Sequence, residues 1–286
     1  MRERNFLYRV VGQSRALTSC RAEVPLYAIE LALVHAAPYL AVGLFIVMLL
    51  LLEIGRRLGR KRREQDPEAS LSGAVDAAVF ALLGLLVAFT FSGAAARFDE
   101  RRQLVTEEAN AIGTAYLRID VLPEGAQAPL RDLFRRYLDS RLETYRRLPD
   151  IQAAMKEWDS SVELQERIWA SAVAACHDSG SSQAAMLLLP ALNEMIDIST
   201  TRLMSTRIHP PTIVFIMLVT VSLVAALLAG YGMASSTERS WIHNLSFAAI
   251  IAATVFVILD LEYPRVGLIR VEAADEVLKD LRRSMD

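Results

Sequence analysis

Apolar residues along the chain are gathered into four long blocks separated by polar segments. Each block has roughly the 20 residues that an α-helix needs to cross the hydrocarbon core of a bilayer. Between the second and third blocks, the apolar residues recur at helical spacing and are interrupted by proline and glycine. The pattern predicts an all-α membrane protein with four transmembrane helices and a soluble helical insert between helices two and three. The predicted segments are an N-terminal tail (1–35), transmembrane helices (36–54, 74–96, 211–232 and 242–261), a soluble helical domain (97–208) and a C-terminal tail (262–286).

The second apolar block runs directly into a charged stretch. No proline occurs between Pro67 and Pro123, and no cluster of turn residues marks a stop where the block ends. We therefore expect one helix over residues 74–122, which at 1.5 Å per residue is about 70 Å long. The hydrocarbon core is only about 30 Å thick. The second transmembrane helix is thus predicted to extend far out of the bilayer and to be continuous with the soluble domain.

Two opposite faces of the second transmembrane helix have different compositions. Small residues at three- and four-residue spacing allow close approach between helices in lipid, and the opposite face carries mostly larger side chains. If several copies surrounded an axis, one of these faces would line it; alternatively, both faces only pack against neighbouring helices. The small face contains Ala77, Ala81, Gly84, Ala88, Ser92 and Ala95, and the opposite face contains Val79, Leu83, Leu86, Thr90, Gly93 and Arg97.

A polar stripe follows on the continuation of this helix, at a spacing of four residues. It consists of Arg102, Thr106, Asn110 and Thr114. One interpretation is that the stripe faces an aqueous path that continues from a membrane pore. The alternative is a buried polar seam between neighbouring subunits, in which Asn110 fixes the register as a polar core residue does in coiled coils.

Charged residues also cluster where spans two and four end on the same side of the membrane. Arg97 and Asp99 follow span two, and Asp260, Glu262 and Arg265 follow span four. Charges at this depth are costly unless they are paired or hydrated. The cluster is either a structural collar of ion pairs, such as Arg97 with Asp260 or Glu262, or a charged vestibule that selects ions.

Composition and charge exclude several functional classes. The chain has 286 residues, of which 53% are hydrophobic, and a formal net charge of −2. This near-neutral charge gives no basic field for nucleic acid. Cys20 and Cys176 form no CxxC pair, and the histidines form no HExxH or triad arrangement. We expect neither an enzyme nor a cofactor or metal site.

The basic residues indicate one orientation in the membrane. Lys and Arg are denser in the two short links than in the flanks on the other side, mainly because of the run GRRLGRKRR at residues 55–63. The positive-inside bias places these links in the cytoplasm and the helical insert outside it.

Three long motifs resemble a known family. They are FSGAAARFDERRQLVTEEANAIGTAYLRIDVLP (91–123), HPPTIVFIMLVTVSLVAALLAGYGMA (209–234) and DLEYPRVGLIRV (260–271). Together they resemble the bestrophin-like family of bacterial four-pass membrane proteins. The resemblance implies a multi-pass protein of the inner membrane with kinship to bestrophins, which are pentameric anion channels with a pore neck on the second helix. It also implies a cytoplasmic helical domain, opposite to the charge bias, so the orientation stays open.

Two functions are consistent with these patterns. The first is a homo-oligomeric ion channel, a pentamer by the family resemblance, whose partners are the lipid bilayer, further copies of itself and inorganic ions. Its candidate pore-lining residues are Leu83, Leu86, Thr90 and Arg97, with gating by dewetting where the lining is apolar. The second is a non-conducting sensor or scaffold whose helical domain binds a ligand or partner.

Overall fold

The structure is a computed structural model that describes residues 24–65, 73–235, 241–263, 267–269 and 272–286. Arg265 of the predicted charge collar, and most of the predicted N-terminal tail, lie outside the described residues. Within them the chain is helical and contains no strand, so the predicted all-α fold is confirmed. The helices are α1 Val24–Gln65, α2 Gly73–Leu117, α3 Glu124–Arg146, α4 Ile151–Asp178, α5 Ser182–Ser205, α6 Thr212–Gly232, α7 Trp241–Glu262 and α8 Glu272–Ser284.

Four helices are long and apolar enough to cross a membrane, as the sequence predicts, and the chain is a multi-pass membrane protein. The candidate spans are Ala36–Gln65, Gly73–Val121, Thr212–Gly232 and Trp241–Glu262. The first is longer than predicted, because α1 continues without a break through the basic run. The unbroken second helix is present as the 45 residues of α2, followed by a 3₁₀ turn at Arg118–Val121.

The chain divides into two compact units. The membrane unit contains Leu33–Phe98 and His209–Gly267, and the helical unit contains Asp99–Ile208 and Leu268–Asp286. In the membrane unit, α1 and α6 come into very close contact. A Cβ atom on Gly230 would lie 2.0 Å from the Leu52 carbonyl oxygen, and one on Gly55 would lie 2.0 Å from that of Leu227. Only glycine lets the two backbones approach this closely.

The helical unit is built from the outer part of α2 together with α3, α4, α5 and α8. Its core is apolar and fully buried, and it includes Ile112, Ile119, Phe134, Leu138, Ile168 and Leu192. Asp150 caps α4, because its carboxylate accepts the Ala153 N–H at 3.0 Å.

The C-terminal segment, predicted from its composition as a charged tail, contains the helix α8. Leu278 of this helix is fully buried, and Arg282 donates to Asp139 of α3 at 2.8 Å. Apolar residues at Leu278, Leu281 and Met285 give the segment one buried face although most of its residues are charged.

Candidate functional site

The small-residue face of α2 is exposed in the single chain. Ala77, Ala81, Gly84, Ala88 and Ser92 are all exposed, and a Cβ atom on Gly84 would meet nothing within 4 Å. These positions are three or four residues apart, so they form one line along the helix. This line is therefore available to lipid, to another copy of the chain or to water.

The opposite face of α2 is packed inside its own chain. Leu83 is 3% exposed and belongs to the apolar core of the membrane unit, against which Leu86 also packs. The Thr90 hydroxyl donates to the Leu86 carbonyl at 2.8 Å and to the Val87 carbonyl at 3.1 Å, so it is satisfied within its own helix. Leu83, Leu86 and Thr90 thus have contacts inside their own chain, and their role as pore-lining residues stays a prediction.

Arg97 belongs to an ion-pair cluster inside the membrane unit. Its Nε donates to both carboxylate oxygens of Glu262, at 3.0 and 3.2 Å, and its Nη2 makes a further contact with the same carboxylate. The guanidinium lies beside Gly93, because a Cβ on Gly93 would be 3.2 Å from Arg97 Nη1. This bidentate arrangement is the strongest kind of arginine–carboxylate contact.

His209 joins the same carboxylate from the start of the segment that leads into α6. Its Nδ1 lies 3.5 Å from a Glu262 oxygen, and its ring stacks on Tyr263 with 4.7 Å between ring centroids. Glu262 is 1% exposed, so its charge depends on these partners. The sequence gives no sign of this contact, because His209 and Glu262 are 53 residues apart.

The other residues of the predicted collar have different surroundings. Asp260 is 3% exposed and lies against Gly267, where a Cβ atom would be 2.3 Å from an Asp260 oxygen. Asp99 is exposed and lies 3.7 Å from Arg102 of its own helix. The structure therefore brings together Arg97 and Glu262, but Asp99 contacts the neighbouring turn instead.

The polar stripe on the outer part of α2 lies on the surface of the helical unit. Arg102, Thr106 and Asn110 are exposed, and Thr114 is half-buried. The stripe repeats every four residues, close to the helical period, and it contributes nothing to the buried core of its own chain. Like the small-residue face, the stripe is therefore open to water or to another copy of the chain.

A second ion cluster is buried in the helical unit, and no sequence pattern predicts it because its members are far apart in the chain. Glu108 of α2 accepts from Arg141 of α3 at 2.6 Å, and its other oxygen contacts Arg202 of α5. Arg202 also donates to Asp275 of α8 at 3.1 Å, and its guanidinium lies 3.8 Å from the Tyr145 ring centroid. The Glu108 carboxylate thus joins three helices, and Arg202 links them to α8 through Asp275.

Both arginines of this cluster remain charged. Burial lowers the pKa of Arg141, but the adjacent Glu108 carboxylate outweighs burial and the pKa is raised. The pKa of Arg202 is raised as well, against the effect of burial, by Tyr145 and Glu108. Burial also raises the pKa of Tyr137 to about 12, so this phenol stays neutral beside the cluster. Among the described residues, no group of three or more His, Cys, Asp or Glu side chains is placed to hold a metal ion.

Comparison with known proteins gives one family and one fold. A sequence profile of the bestrophin-like domain matches residues 42–275, and no curated protein matches significantly. Three crystal structures of variants of a bacterial bestrophin homologue from Klebsiella pneumoniae are similar in fold. Their TM-scores are 0.65, 0.63 and 0.61, at 14%, 13% and 14% identity, and the matches cover 86%, 84% and 85% of this chain and 98% of each of those chains.

Proposed function

Because the chain belongs to the family of bestrophin-like domain proteins, we propose that it is a homo-oligomeric ion channel. In this proposal, the membrane part of α2 lines the pore and the helical unit forms a vestibule. The resemblance of the sequence to the bestrophin-like family implies that the oligomer is a pentamer. A chain with four spans has little room for a pore of its own, so the path lies between copies.

The observation that carries this proposal is the exposure of one face of α2. Ala81, Gly84, Ala88 and Ser92 follow one line on the helix, and none of them is covered by the chain's own helices. Larger exposed residues, such as Leu85 and Phe89 at 54% and 69%, lie beside this line. We assign the small-residue line to the pore axis and the larger neighbours to contacts with lipid or with an adjacent copy.

The exposed polar stripe supports the vestibule part of the proposal. Arg102, Thr106, Asn110 and Thr114 offer one charge and several hydrogen-bonding groups outside the core of their own chain. Hydrated ions can exchange water for such groups at little cost, whereas an apolar surface would repel them. Arg97 is assigned a structural role instead, because Glu262 neutralises its charge.

Cysteine accessibility in the conducting protein tests the assignment of the pore face. The background is a variant in which Cys20 and Cys176 are replaced by serine, reconstituted in a planar bilayer. In this background, Ser92→Cys should make the current sensitive to a charged, water-soluble thiol reagent. Thr90→Cys, two positions away on the packed face, should be insensitive. Block only at position 90, or no current from the untreated protein, would rule out the proposed pore.

A non-conducting sensor or scaffold is the second candidate, and the small-residue face of α2 is also compatible with this function. Lines of Ala, Gly and Ser also form dry contacts between membrane helices, so two copies could pack there without a cavity. The size and symmetry of the oligomer in nanodiscs separate the candidates. A ring with an axial cavity supports the channel, and a dimer with a dry α2 interface supports the scaffold.

A further inference from the structure

Arg56 of α1 is a buried cation, and no compensating partner for it occurs in the part of the chain that the structure describes. The residue is 8% exposed, and its Nε is fully buried with no hydrogen-bond partner. No ion pair or hydrogen bond to Arg56 is found among the residues that the structure describes. A guanidinium removed from water is strongly destabilised unless an anion or several acceptors surround it. Because Nε is sealed by the chain itself, an acceptor from outside must approach the Nη edge of the guanidinium.

Arg56 lies where α1 meets the end of α6. The neighbouring Gly55 and Gly59 contact the α6 backbone, and a Cβ on Gly59 would be 2.7 Å from the Tyr231 carbonyl oxygen. The last carbonyls of a helix carry partial negative charge, which favours a nearby cation. Two of these carbonyls, those of Ala229 and Tyr231, already accept the Met233 N–H. The end of α6 is thus a region of partial negative charge beside the turn of α1 that carries Arg56.

The surrounding side chains place Arg56 at the level of the lipid headgroups. Ile54 and Leu58 on either side of it in the sequence are 47% and 52% exposed, so α1 still presents apolar surface to acyl chains at this depth. Tyr231 lies beside the contact and Trp241, 52% exposed, begins α7. Tyr and Trp concentrate at membrane–water interfaces.

The same end of α1 carries a dense positive charge. Arg57 is paired with Glu53 at 3.0 Å, and the next turns add exposed basic residues opposed only by Glu64 within α1. Basic segments next to a span attract anionic lipid headgroups. The exposed basic residues of these turns are Arg60, Lys61, Arg62 and Arg63.

We propose that an anionic phospholipid binds beside α1 and α6, with its phosphate on the Arg56 guanidinium. Arg60 and Arg63, which lie on the same face of α1 as Arg56, contact its headgroup. A phosphate accepts from the flat guanidinium edge with two oxygens at once, which a lysine cannot reproduce. This site is separate from the proposed pore face of α2, so it stands whether or not the protein conducts.

Retention of lipids by the detergent-purified full-length protein tests this site. Native mass spectrometry should show that wild type retains phosphatidylglycerol at least fivefold more strongly than phosphatidylcholine, given that one basic residue near a charged surface is worth roughly fivefold in binding. Arg56→Gln should abolish most of this preference. Arg57→Gln is the matched control, since Arg57 is exposed and already paired with Glu53, and it should change retention less than twofold. Equal retention of both lipids by wild type, or equal loss in the two variants, overturns the proposal.

A second measurement covers the case in which Arg56→Gln does not fold. A photoactivatable phosphatidylglycerol, added to wild-type protein, should crosslink to residues 52–60 and 227–234 more than the corresponding phosphatidylcholine. Inorganic phosphate at millimolar concentration should not displace it, because the acyl chains anchor the lipid in the bilayer and keep its headgroup beside α1. Crosslinking without headgroup preference, or displacement by free phosphate, contradicts a phospholipid site.

Discussion

Arg97 holds Glu262 with its Nε 3.0 and 3.2 Å from the two carboxylate oxygens, and so joins the helices α2 and α7 of the membrane unit. Glu262 is 1% exposed and the Arg97 side chain is 24% exposed, so the pair is largely shielded from solvent. A shielded pair depends on both members, because removing one leaves the other charge buried. Removal of either charge should therefore destabilise the membrane unit.

Arg97→Glu should destabilise the protein strongly, since it places a second carboxylate beside Glu262. The expected loss is about 3–5 kcal/mol, typical for breaking a buried pair, and it should appear as a lower unfolding temperature in detergent. The double variant Arg97→Glu/Glu262→Arg should recover part of the loss. If the single variant were as stable as wild type, the pair would have no structural role, and Arg97 would again be a candidate for ion selection.

Glu108→Gln should destabilise the helical unit, because two buried arginines would lose their shared carboxylate. Glu108 is fully buried between Arg141 and Arg202, and the expected cost is again about 3–5 kcal/mol. Glu107→Gln is the control, since its exposed side chain accepts a hydrogen bond from Gln103 on the surface of the same helix. Thermal unfolding of both variants measures the difference, and equal unfolding temperatures would contradict the importance of the cluster.

Gly230→Ala should weaken the contact between α1 and α6. The added methyl group would lie 2.0 Å from the Leu52 carbonyl oxygen, so one backbone must move. Overpacking of this kind typically costs about 1–3 kcal/mol. Gly43→Ala is the control, because a Cβ there meets nothing within 4 Å. A drop in unfolding temperature for Gly230→Ala alone is expected, and an equal response of both variants would argue against the close contact.

The elements of the fold could be predicted from the sequence because lipid imposes a simple requirement. Long apolar blocks identify the spans, and the absence of proline between Pro67 and Pro123 identifies α2 as one helix. The packed face of α2 could not be predicted in the same way. In lipid, both the packed face with Leu83 and the exposed face with Gly84 are apolar, so hydropathy does not distinguish them.

The buried clusters were only partly visible in the sequence. Glu108 occurs between Val105 and Ile112 of an apolar stripe, which is a signal for a buried charge. Its partners lie 33 and 94 residues further along the chain, and helical spacing carries no information about contacts between distant helices. For Arg97 the expected partners were Asp260 or Glu262, and the structure selects Glu262. The sequence does not distinguish Asp260 from Glu262 as the partner of Arg97, because the two acids are only two residues apart.

The last prediction concerns ion selection at the polar stripe. If Arg102 faces the vestibule, Arg102→Glu should shift the reversal potential under a salt gradient toward greater cation permeability, because the local charge changes by two units. Arg136→Glu makes the same change on α3 at another exposed position, and it should leave the reversal potential within a few millivolts of wild type. Both variants keep the buried ion pairs intact, so their unfolding temperatures should match. An identical reversal potential for wild type and Arg102→Glu, in a protein that conducts, would place the ion path away from this stripe.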